Sequence, residues 1–118
     1  GARVGDIGHA VQSYAESFGF GVVRELEGHG IGTQMHESPG IPNYGRQGHG
    51  PKLRNGMTIC IEPMITAGSR NVYLDKNGWA VHTADHRNAA HYELTVVVRK
   101  GHAEQLSTFD FIENSVKF

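Results

Sequence analysis

One cysteine, Cys60, occurs in 118 residues, so an internal disulfide and a paired-cysteine zinc motif are both excluded. That sparing thiol usage fits a reducing compartment, and the expectation is a cytoplasmic protein. An excess of charge of one sign is also lacking: 11 Lys and Arg stand against 12 Asp and Glu, a formal net charge of -1. The basic surface on which nucleic acid is held is therefore not expected. No apolar run approaches the ~18 residues of a membrane span, and no stretch pairs a charged start with an apolar middle as a secretory leader does. Neither nucleic acid nor a membrane is an expected partner. Internal repeats, low-complexity tracts and a His-Glu-x-x-His zinc helix are missing as well.

Glycine and histidine are plentiful instead. The eight histidines are spread along the chain, so a terminal affinity tag does not account for them. The length suits one domain with one modest core. Asp6 to Phe18 reads as a helix, with Ile7, Val11, Tyr14 and Phe18 on one apolar stripe, Asp6 as N-cap and Gly19 as the stop. Gly21 to Leu26 reads as a short strand. Residues 28 to 56 show little periodicity and read as a long loop, a length usually reserved for function. After the Asn55-Gly56 turn, Met57 to Glu62 alternates, with Met57, Ile59 and Ile61 on one face and Thr58, Cys60 and Glu62 on the other. Pro63 suits the end of that strand. Val72 to Leu74 and Trp79 to Thr83 flank Asp75-Lys76-Asn77-Gly78 as a hairpin. Ala89 to Arg99 reads as one long strand. The tail, Ala103 to Phe118, offers one short strand and a frayed helical turn. A helix followed by a largely antiparallel sheet is an α+β arrangement.

Three short stretches carry side chains suited to a hydrolytic divalent metal: His29 between two glycines, Glu62 before Pro63, and Glu93 in Tyr92-Glu93. Flanking glycines let the backbone turn sharply and keep bulk away from an ion. Taken alone, Gly-His-Gly reads more readily as a turn histidine in water. A carboxylate on an apolar strand is costly to bury unless paired or metal-bound; the alternatives for Glu62 are an edge position in water or an ion pair with Arg54 or Arg70. For Glu93 the alternative is a polar stripe, with His91 and Thr95, on a solvated sheet face. His36, seven residues after His29, is a candidate to polarise a carbonyl or hold a substrate group. His91 reads as a surface or packing residue beside Glu93. Cys60, with no motif around it, reads as a small buried residue rather than a nucleophile.

In order and context these stretches become specific. Gly28-His29-Gly30-Ile31-Gly32, Met35-His36-Glu37-Ser38-Pro39, Asn43-Tyr44, Ile61-Glu62-Pro63-Met64, Asn77-Gly78-Trp79, Thr83-Ala84-Asp85 and His91-Tyr92-Glu93 together resemble the C-terminal half of the type I methionine aminopeptidases. The resemblance covers nearly the whole chain, apart from the last ten or so residues. It implies half of a pita-bread fold, in which two similar αβ halves face each other across a pair of divalent metal ions. It implies removal of an initiator methionine, with peptides beginning in Met as substrates. His29, Glu62 and Glu93 match the metal ligands of the second half, with Glu93 bridging and Glu62 also the proton shuttle. His36 matches the histidine that contacts the scissile carbonyl region. Met35 and Trp79 match positions that line the methionine side-chain pocket.

The half that would supply two aspartate ligands has no counterpart in this sequence, so the expectation is the C-terminal part of a larger catalytic domain, or a chain that pairs with itself or with a missing N-terminal half. Leu94 stands where the family usually has His, and Met35 where it usually has Phe. A proline-specific peptidase of the same fold would carry Gly at position 64 and Arg at 91; Met64 and His91 favour the methionine enzyme. The rival outside catalysis is a half-domain that acts as a dimerisation or protein-binding module.

Overall fold

A computed structural model describes residues 1–116; Lys117 and Phe118, the last of the expected tail, lie outside the described residues. In chain order the elements are α1 (Val4–Ser17), β1 (Gly21–Val22), β2 (Gly28–Gly30), β3 (Glu37–Ile41), β4 (Thr58–Ile61), β5 (Met64–Thr66), β6 (Val72–Leu74), β7 (Val81–Thr83), β8 (Ala89–His91), β9 (Leu94–Arg99), β10 (His102–Gln105) and α2 (Asp110–Glu113). All strand pairs are antiparallel. They form a five-stranded sheet β10-β9-β4-β2-β3, a three-stranded sheet β1-β5-β8 and the β6-β7 hairpin. The α+β expectation holds.

Helix α1 begins two residues before the expected start, because Asp6 is not the N-cap. Its carboxylate reaches back to accept the Arg3 N–H at 2.7 Å and also takes the Gly48 N–H at 2.7 Å, the reciprocal half of a capping box. The buried face is rotated from the expected stripe. Val4, Gly8 and Ala15 are buried, while Tyr14 and Phe18 stand exposed and pack edge to face, 5.1 Å apart. The small residues decide this. A side chain at Gly8 would strike the Tyr44 and Pro42 carbonyls, so the helix backbone itself comes close to the loop, and the aromatic residues are left outside.

The core joins Val4 of α1 to Ile41, Ile59 and Val96 on β3, β4 and β9, with Ile7, Leu53, Met57, Ile61 and Val98 packed around them. The apolar face read for residues 57–61 is thus the core face. The expected loop over 28–56 is corrected: it contains β2 and β3, whose pairing shifts register between His29 and Gly30. Short strands rich in Gly and Pro carry no alternation to read. The expected strand over 21–26 shrinks to two residues. The hairpin stands as expected, Val72 opposite Thr83 and Leu74 opposite Val81, with Trp79 in the turn rather than the strand. The tail supplies β10 and the one-turn α2, as expected.

The expected single strand from 89 to 99 is two strands in different sheets. β4 and β9 pair in the five-stranded sheet, with Ile61 opposite Leu94. β5 and β8 pair in the three-stranded sheet, with Met64 opposite His91. Both segments therefore change sheet side by side, one at Glu62-Pro63 and the other at Tyr92-Glu93. Pro63 has no N–H to continue the ladder, and its carbonyl accepts the Tyr92 N–H at 3.3 Å across the corner.

Candidate metal centre

That corner brings the expected ligands together. His29 lies opposite Cys60 across β2 and β4, and Cys60 lies opposite Thr95 across β4 and β9. Two residues further along each chain, past the last paired residues, come Glu62 and Glu93. Period-two alternation puts Cys60 with Glu62, and Thr95 with Glu93, on one face.

The flanking glycines of His29 serve close approach rather than a sharp turn. A side chain at Gly28 would meet the Cys60 carbonyl, and one at Gly30 the Ser38 carbonyl; neither glycine has a positive φ. The neighbouring strands thus close over His29, leaving its side chain 12% exposed. Its Nδ1 lies 2.8 Å from the Gly30 carbonyl oxygen. A carbonyl only accepts, so Nδ1 carries the proton and Nε2 is directed into the site. Nε2 stands 3.3 Å from Glu62 Oε1. The other Glu62 oxygen is 3.1 Å from His91 Nε2. Glu62 is held from behind as well, since buried Asn43 donates from Nδ2 to its backbone carbonyl at 3.2 Å.

Donor atoms of His29, Cys60 and Glu93 lie within 4.8 Å of one another. Burial pushes the Cys60 thiol above its ordinary value, a hydrogen bond with Thr95 opposes this, and the Glu93 and Glu62 carboxylates raise it further. His36 is exposed at the end of the 31–36 turn, which Glu37 ties by accepting the Gln34 N–H at 2.8 Å. Its ring lies 4.3 Å from the His29 ring, tilted by 57°.

The donor set suits a divalent ion: one imidazole nitrogen with its second nitrogen pinned to a carbonyl, as metal-binding histidines usually are, and two carboxylates beside it. Two donors held about 2.0–2.2 Å from a shared ion stand close to the 3.3 Å separation of His29 Nε2 and Glu62 Oε1.

The metallopeptidase family M24 model matches residues 1–100. The chain belongs to family M24. Among curated relatives, a methionine aminopeptidase of Clostridium acetobutylicum is 55% identical over 98 residues, covering 83% of this chain and 39% of the relative. Methionine aminopeptidase B of Synechocystis is 50% identical over 107 residues, covering 91% and 39%. The crystal structure of the Rickettsia prowazekii methionine aminopeptidase superposes with a TM-score of 0.87 at 48% identity, over 89% of this chain and 43% of that one. This M24 chain thus has the fold of the matching part of those pita-bread enzymes and spans about two fifths of the length of the curated relatives it matches.

Not every sequence expectation meets at the corner. Glu62 is paired with histidines rather than with Arg54 or Arg70. His91, read as a surface or packing residue beside Glu93, is exposed but lies 3.1 Å from Glu62 Oε2. Trp79 is 79% exposed and forms a wall of a cleft of about 420 Å³ with Leu26, Met64, Val81 and His91. That cleft adjoins the centre through His91. Met35 is 70% exposed and is not among the residues that line the cleft. Asn43 and Cys60 are the contributors that sequence reasoning missed. Asn43 had no signal beyond its place beside Tyr44, whereas Cys60 shares the Glu62 face by alternation.

Proposed function

We propose that this chain is the C-terminal half of a methionine aminopeptidase catalytic domain. In this reading His29, Glu62 and Glu93 hold divalent metal, with further carboxylates supplied by the remainder of the enzyme or by a second chain, and a peptide beginning in Met is cut after that residue. When bound, the ions supply Lewis acidity toward the scissile carbonyl and an activated water. The observation that carries the reading is the convergence of His29 Nε2 on the Glu62 carboxylate at the sheet corner, in a chain 55% identical to a methionine aminopeptidase.

The chain's own residues divide the work. His29 is oriented by the Gly30 carbonyl, so its lone pair is presented without rearrangement. Glu62, with His91 on its outer oxygen, takes and returns the proton of the attacking water. Glu93, at the β8–β9 corner, would supply a carboxylate to hold the ions. His36, beside His29 and open to solvent, donates toward the substrate carbonyl. Met64, Trp79 and Val81 present an apolar wall to the methionine side chain.

The test is a fusion of this chain to the N-terminal half of the Rickettsia prowazekii enzyme. It is incubated with manganese and with Met-Ala-Ser, Leu-Ala-Ser and Ala-Pro-Ser peptides. Free methionine from the first peptide alone, abolished by Glu62→Ala, supports the reading. Cleavage confined to Ala-Pro-Ser would reassign the chain to proline-specific chemistry. A folded, metal-binding fusion that cuts none of the three would remove catalysis from the account.

A further inference from the structure

We propose that Cys60 is an additional, sulfur donor to this metal centre, which makes the site of this chain selective for thiophilic divalent ions such as zinc, cobalt and cadmium over manganese and magnesium. The inference rests on His29 and Glu93 being ligands, as proposed above.

Three observations converge on it. Cys60 sits in register between His29 on β2 and Thr95 on β9, so it occupies the middle of the row that forms the floor of the site. Its thiol falls with His29 and Glu93 in a single group of donor atoms within 4.8 Å of one another. Zn–S and Zn–N bonds of about 2.3 and 2.0 Å at a tetrahedral ion put the two donors about 3.5 Å apart, so a group within 4.8 Å closes on an ion by side-chain rotations that move donor atoms by about 1 Å. Third, Cys60 is 1% exposed, and its sulfur faces the Thr95 hydroxyl at 3.5 Å and the Glu93 carboxylate. Burial leaves the sulfur no route to a bulky electrophile, but an ion seated on His29 would be in reach.

Thiolate is a soft donor that favours zinc and cadmium, while carboxylate and water suit manganese and magnesium. A centre with two carboxylates and one imidazole already binds zinc and cobalt more tightly than manganese; adding sulfur widens that preference and brings in cadmium. On coordination the S–H bond is replaced by a sulfur–metal bond, and the proton leaves to solvent.

The test titrates cadmium into the 118-residue chain and follows the ultraviolet sulfur-to-cadmium charge-transfer absorption, with manganese affinity measured in parallel. The wild-type chain should develop the band with one ion per chain. His29→Ala should move its midpoint by more than about tenfold, the scale on which even outer-shell changes act. Cys60→Ser should weaken cadmium by a similar factor and manganese by less than about threefold; retained manganese binding shows that this variant is folded. Cadmium bound without the band would overturn the sulfur donor and leave the nitrogen–oxygen centre standing. A band of unchanged midpoint in His29→Ala would also overturn it, because the thiol would then be capturing cadmium on its own. Absence of all metal binding to the wild-type chain would overturn this inference; the ligand assignment beneath it falls only if the fusion with the N-terminal half also binds no metal.

Discussion

The five-stranded sheet with α1 and the outer strands β6, β7 and β8 are held in different ways. In the five-stranded sheet and α1, Val4, Ile41, Ile59 and Val96 are each exposed by 6% or less. Beyond the Glu62-Pro63 and Tyr92-Glu93 corner, no residue of β6, β7 or β8 is buried. There Tyr73, Leu74, Trp79 and Val81 stand 41–79% exposed. The first region carries its own core. The second shows the kind of clustered apolar surface that marks a contact or ligand face, and in the proposed enzyme it meets substrate and the remaining half. The proposed metal centre lies on the seam. Buried Cys60 and partly buried His29 form its floor on the stable side, while exposed Glu93 and His91 form its rim. Rigidity is thereby supplied by one side of the seam, while the proposed ligands are drawn from both.

The largest expected effect breaks the stable side alone. Ile41 is fully buried, and Ile41→Ala should cost about 2–5 kcal/mol through lost burial and the cavity left behind, read by urea unfolding. A loss near zero would mean that this sheet is not where stability resides.

An intermediate effect concerns acid. The Asp6 carboxyl is held below its ordinary value of 3.8 by the Arg3 and Gly48 backbone N–H groups. A carboxylate depressed in the folded state contributes stability that is present above its unfolded value and lost as pH falls through the folded one. Stability should therefore drop below about pH 4, and Asp6→Asn should flatten that acid limb in denaturation midpoints measured from pH 7 to pH 2. An unchanged limb would separate the helix start from acid stability.

The smallest effect on stability belongs to the exposed side. Trp79→Ala should change unfolding free energy by less than about 0.5 kcal/mol, yet raise KM for the Met-Ala-Ser peptide in the fused enzyme. A large destabilisation would show that the hairpin is part of the core after all.

Much of this was legible in the residues. Alternation at 57–62 identified the core face, and Asp75-Lys76-Asn77-Gly78 identified the hairpin. The motifs carried His29, His36, Glu62 and Glu93, which the structure gathers at one corner. What stayed hidden depended on neighbours distant in sequence. The break at Tyr92-Glu93 interrupts an unbroken alternating pattern, and it follows from pairing with a partner bent at Pro63. The buried face of α1 was misread because Gly8 admits a close carbonyl, which no hydrophobic scale rewards. β2 and β3 are built from Gly-His-Gly and Glu-Ser-Pro-Gly-Ile, which show no strand period. The service of the two glycines beside His29 to approaching strands, and not to a turn, became visible only with β3 and β4 in place.

The claim that floor and rim act as one centre is tested most directly by titrating manganese into the 118-residue chain and following the loss of the free-ion paramagnetic resonance signal. His29→Ala removes a floor ligand, and Glu93→Gln removes a rim ligand. The account predicts that the wild-type chain binds and that each substitution weakens binding by more than about tenfold. Unchanged binding in either variant would contradict it, because one side of the seam would then hold the ion without the other.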